Sequence, residues 1–64
     1  MATPMPTGLS RPAQRALAAA GYNTLEELAG ASERHLASLH GLGPTTIRQL
    51  RAALAGLGLS FADP

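Results

Sequence analysis

Apolar residues recur in four short blocks along this 64-residue chain, each at helical spacing. Ala13, Ala16, Leu17 and Ala20 fall at i, i+3, i+4 and i+7, which predicts a helix over 11–20. Ser10 can cap it, Pro12 sits in the first turn where a missing N–H costs nothing, and Gly21 can close it in a left-handed turn. Thr24 and Glu27 make a T-x-x-E capping box, with Leu25 and Leu28 one turn apart on the buried side. A short second helix ending near Ala29, with Gly30 as its stop, follows. Ser32 opens a third, its hydroxyl placed to accept the His35 amide; Leu36 and Leu39 carry its apolar stripe and Gly41 is expected to stop it. Gly43 and Pro44 open the fourth, in which Ile47, Leu50, Leu54 and Leu57 define one continuous face up to Gly58. Leu59 and Phe61 are expected to fold back over the bundle.

Residues 1–8 (MATPMPTG) show no such period and carry two Pro, two Thr and a Gly, so they read as a disordered tail with nothing to pack against a core. The folded domain is then 9–61, with 62–64 a C-terminal tail. A repeat is visible at an offset of 22: Leu17 maps to Leu39, Gly21 to Gly43, Thr24 to Thr46, Leu25 to Ile47 and Leu28 to Leu50. Each half is helix, short turn, helix.

Composition agrees with helices. Hydrophobic residues make up 45%, and the set is mostly Ala and Leu, with one Ile and no Val, a mixture that favours helix over strand. The fold class is therefore all-α, a compact four-to-five-helix bundle. A chain this short builds one small domain of thin stability, and the absence of cysteine removes both a disulfide framework and a thiolate metal cage. No catalytic constellation of nucleophile, base and orienting acid is present, so no enzymatic activity and no cofactor are expected. His35 and His40 do not share a helix face and lack a completing ligand set, so no metal site is expected. Apolar runs are too short to span a bilayer and the start lacks the pattern of a secretion signal, which points to the cytoplasm and away from membranes. All five basic residues are Arg, and a net charge of +1 does not by itself imply a polyanion partner.

The chemistry gathers in LASLHGLGPTTIRQL, residues 36–50. Gly41 can end one helix in a left-handed turn, Leu42 can plug the space between helices, and Gly43 lets a ligand approach the backbone. The amides of Gly43, Thr45 and Thr46 then stand at the positive end of the last helix with no partner inside it, the arrangement a phosphate oxygen needs. This apolar-Gly-apolar-Gly turn followed by Pro resembles the helix-hairpin-helix motif. The resemblance implies a grip on the sugar-phosphate backbone of duplex DNA, without sequence preference, and two motifs per domain in a SAM-like orthogonal bundle. Gly21, Tyr22, Asn23 and Thr24 would be a degenerate first hairpin lacking the second Gly.

Residues 9–61 further resemble the C-terminal domain of the bacterial RNA polymerase α subunit, through HGLGPTTIRQL, the Leu-Glu-Glu-Leu helix, Ser-Glu-x-x-Leu and the end Gly58-Leu59-Ser60-Phe61. That resemblance implies minor-groove binding and a role in transcription. It places a DNA-backbone contact at Gly43 and a hydroxyl contact at Thr46. Thr45 stands where the family prefers Lys, and Pro12 where it has an Arg, flanked by Arg11 and Arg15.

The DNA-backbone contacts expected are thus Gly41, Gly43, Thr45, Thr46, Arg48 and Arg51, with Arg11 and Arg15 as a second set. Arg48 and Arg51 flank the apolar face of the last helix on one side, as ordinary solvated arginines also do. Glu26, Glu27 and Glu33 gather the acidic charge mid-chain, so the second helix is expected to face away from phosphate. Tyr22 and Phe61 are too few for a base-stacking platform and read as core-edge residues. A second function class fits the same fold: a protein-interaction module docking to a polymerase, a repair factor or another copy of itself. Its sign would be an exposed apolar patch around Leu42, Leu57, Leu59 and Phe61.

Overall fold

Four helices follow one another: α1 (Arg11–Ala19), α2 (Leu25–Ala29), α3 (Glu33–Ala37) and α4 (Pro44–Gly56). The structure is a computed structural model and describes residues 2–62. Three helices begin on a hydroxyl that accepts an amide of its own first turn: Ser10 from Ala13, Thr24 from Glu27 and Ser32 from His35. At α2 the box is complete, because Glu27 reaches back to the Thr24 amide at 3.0 Å. α1 and α4 both end in a Schellman arrangement: Tyr22 N–H donates to Leu17 C=O and Gly21 N–H to Ala18 C=O, while Leu59 N–H donates to Leu54 C=O and Gly58 N–H to Ala55 C=O.

α4 is the longest helix and packs on both α2 and α3. Leu17, Leu28, Leu36, Leu50 and Leu54 are fully buried, one or two from every helix, and Leu9, Ala13, Leu25, Ala31, Leu42, Ile47 and Phe61 complete the core. With so few large side chains each one matters: Leu to Ala in such a site costs about 2–5 kcal/mol, against about 5–15 kcal/mol for a whole domain.

Several details depart from the sequence-based expectations. α3 ends at Ala37 instead of running to Gly41, because the Ser38 hydroxyl donates to the His35 carbonyl at 2.6 Å and Leu39 N–H takes the Leu36 carbonyl, tightening the last turn. Leu57 does not continue the α4 face; it is the C-cap residue and is 45% exposed. Phe61 does fold back into the core, with Leu59 half-buried beside it, and Ala62 N–H is tied to Ala31 C=O at 2.9 Å.

The expectation of an N-terminal segment without packing partners is also corrected. Thr3 C=O accepts the Leu25 amide at 2.9 Å, Pro4 bridges Thr24, and Met5 lies against the core. Thr3 donates to Glu26 twice, through its N–H (2.7 Å) and its hydroxyl (2.6 Å). The segment supplies no core of its own; it satisfies an orphan amide at the start of α2 instead. Of the two expected tails, Met1, Asp63 and Pro64 lie outside the described residues. Among the described residues no helix is long and apolar enough to cross a membrane.

Candidate nucleic-acid interface

The turn between α3 and α4 is built on two glycines with different duties. Gly41 has φ +95°, and a Cβ there would sit 2.8 Å from the Pro12 carbonyl oxygen. The fold therefore needs glycine at 41 on two counts, backbone conformation and a close approach to the first turn of α1. Gly43 is the opposite case. It is the α4 N-cap in an ordinary extended conformation (φ −89°, ψ 176°), and a Cβ would meet nothing within 4 Å. None of the described residues fills the space beside it.

Alone among the four helices, α4 begins without a side-chain cap. Its first backbone bond is Ile47 N–H to Gly43 C=O, at 3.0 Å, and Pro44 has no N–H to offer. The amides of Gly43, Thr45 and Thr46 remain without an acceptor among the described residues. Gly43, Pro44 and Thr45 are exposed, whereas Thr46 is only 8% exposed. Thr46, the expected hydroxyl contact, sits at the core edge with little of its surface exposed. Leu42 is buried in the turn, as a plug between the helices requires.

The first hairpin has the same left-handed glycine but is closed. Gly21 (φ +89°) corresponds in conformation to Gly41, so the structural repeat pairs these two and not Gly21 with Gly43, as the offset of 22 had it. Tyr22, half-buried, then takes the place of Leu42. At the start of α2 the Glu27 carboxylate accepts the amides of Asn23 (2.9 Å) and Thr24 (3.0 Å), so a carboxylate of the chain itself occupies the anion position.

The arginines divide in the same way. Arg51 donates Nε (3.0 Å) and Nη2 (2.7 Å) to one oxygen of Glu33, which ties α4 to α3. With the side chains 57% and 22% exposed the pair contributes about 0–1 kcal/mol, but it spends Arg51 on a carboxylate. Arg11, Arg15 and Arg48 are exposed and form no ion pair among the described residues. The Gly41–Pro12 approach sets the first turn of α1, carrying Arg11, against the hairpin, while Arg48 stands one turn into α4. His40, next to the turn, is exposed. The three glutamates are engaged elsewhere: Glu26 with Thr3, Glu27 in its own cap, Glu33 with Arg51. Thr3's hydroxyl, and then its amide, hold the Glu26 carboxyl below the usual carboxylate range.

Two features of this region have no local sequence signal. The Arg51–Glu33 pair joins residues on different helices, and an open cleft of about 280 Å³ lies between Ala37 and the first turns of α4. The expected apolar patch does not form, since Leu42 and Phe61 are buried, Leu59 is half-buried and only Leu57 is exposed.

A family model described as a SAM-like helix-hairpin-helix tandem matches residues 13–55. The chain belongs to that family. The match spans both hairpins of this helix-hairpin-helix domain and all of α2 and α3. No curated protein and no solved structure matches the chain.

Proposed function

We propose that this helix-hairpin-helix domain is a non-enzymatic nucleic-acid-binding module that holds the phosphate backbone of duplex DNA at the α3–α4 hairpin, with little regard for sequence. The observation that carries this reading is the bare start of α4: among the described residues three amides there have no acceptor, the N-cap glycine is open to solvent, and the cleft beside it is lined by no carboxylate. Gly43 and Thr45 meet the first phosphate, the Thr46 amide completes the row, and Arg48 adds charge. Gly41 acts by setting the turn, while Arg11 and Arg15 reach a neighbouring stretch of backbone. Arg51 is reserved for Glu33 and assists only when that pair opens. A role in transcription follows from the resemblance to the polymerase α-subunit domain, and cytoplasmic DNA is the partner it implies.

So few contacts give an affinity in the non-specific range, about 10⁻⁴ to 10⁻⁶ M, so useful occupancy needs a tether or several copies. Titration of a labelled duplex at low and moderate salt tests the reading. Salt-sensitive binding that is lost in Gly43→Asp supports it; no anisotropy or chemical-shift change at about 1 mM protein removes it.

A further inference from the structure

The cleft of about 280 Å³ at the hairpin shares Gly43 and Pro44 with the proposed phosphate grip. Buried Leu42 and Ile47 form its floor, exposed Ala37 closes it on the α3 side, and Arg48 and Arg51 line it from α4. Pockets for drug-sized ligands run roughly 300–1,000 Å³, so this one admits a single ring system and not a substrate-sized molecule. Its charge is one-sided. Glu33 is engaged by Arg51, and Arg48 has no acidic partner among the described residues.

We infer, resting on the reading above, that this cleft receives the base of one unpaired nucleotide whose strand is held at the start of α4. A phosphate on the α4 amides carries its own sugar and base, and the cleft opens beside those amides. The flat ring lies on Leu42 and Ile47, and the Arg48 guanidinium supplies donors to its edge carbonyls and ring nitrogens. The floor residues are only 5% and 6% exposed, so the surface they offer is too small to repay extraction of a base from an intact stack. The occupant is therefore a base already unpaired, at a flap, gap or strand end, and the domain distinguishes such sites from continuous duplex.

The experiment compares a short blunt duplex with the same duplex carrying one unpaired 2-aminopurine, both titrated with the whole chain. Wild type binds the flapped duplex about fivefold more tightly, what burial of about 40 Å² of apolar surface returns, and the 2-aminopurine emission changes on binding. Ala37→Met fills the cleft from an exposed helix position, leaving the core and the amides as they are. It lowers affinity for the flapped duplex to that of the blunt one and abolishes the emission change, with blunt-duplex binding unaltered. Equal affinities in wild type, or a preference that survives Ala37→Met, overturn the base cleft and leave the phosphate grip standing. No binding to either duplex overturns both. A peptide with Leu beside Glu that moves the Ala37 and Ile47 resonances, where the flapped duplex does not, overturns the inference in favour of a protein partner.

Discussion

Gly43 and Gly41 look alike in sequence and separate cleanly by substitution. Gly43→Asp gives α4 the side-chain cap it lacks, worth a few tenths of a kcal/mol over glycine, and places a carboxylate where the phosphate would sit. Chemical denaturation should therefore show equal or slightly raised stability while anisotropy shows duplex binding weakened tenfold or more. Gly41→Ala should do the reverse. Left-handed backbone costs a side chain about 1–2 kcal/mol, and the 2.8 Å approach to Pro12 adds to it. A loss of about 2 kcal/mol or more in unfolding free energy, read as a lowered denaturation midpoint, is expected, and an unchanged midpoint would contradict the geometry. The sequence showed that both glycines belong to a turn. It could not show which one the fold needs, because that depends on Pro12, a residue distant in the chain that arrives only after folding.

At the scale of elements, the caps were legible because they are local: Ser10, Thr24 with Glu27, and Ser32 each bond an amide three residues on. The docking of Thr3 on α2 and the Arg51–Glu33 pair were not, since nothing in the local period of either segment encodes its partner. The Thr3 clasp predicts a pH effect. Ionised Glu26 accepts both Thr3 donors, so its folded pKa lies below the unfolded one and the clasp is fully formed above the ordinary carboxylate range. Its contribution fades as pH falls through that lowered value. An NMR titration of the Glu26 side chain should find its midpoint raised in Thr3→Ala, and the same midpoint in both proteins would rule the clasp out.

For the whole molecule, what matters is which charges stay uncommitted. Arg51 is paired with Glu33, Glu26 and Glu27 accept from neutral donors and keep their charge, and Arg11, Arg15 and Arg48 form no ion pair among the described residues. Neutralising about three phosphates gives a slope of log K against log salt near −2.7, shallow for a DNA-binding protein. Arg48→Gln should reduce the slope by about 0.9, whereas Arg51→Gln should change it far less. Equal effects from the two would mean that Glu33 does not hold Arg51 in solution. All-α class and four helices were readable from the apolar period, since each apolar step recurs within a turn, and the tandem came from the resemblance carried by the Gly-Leu-Gly-Pro turn; the closure of the first hairpin by Glu27 became visible only with the backbone in place.

Thr3 rests on the start of α2 and Ala62 on the residue just beyond its end, and a helix of five residues is only about 8 Å long. Neighbouring polypeptide, a fluorophore or an affinity handle joined at either side thus leaves the bundle from one small region. A carrier attached there holds the module through α2, an element that supplies none of the groups proposed to meet the target.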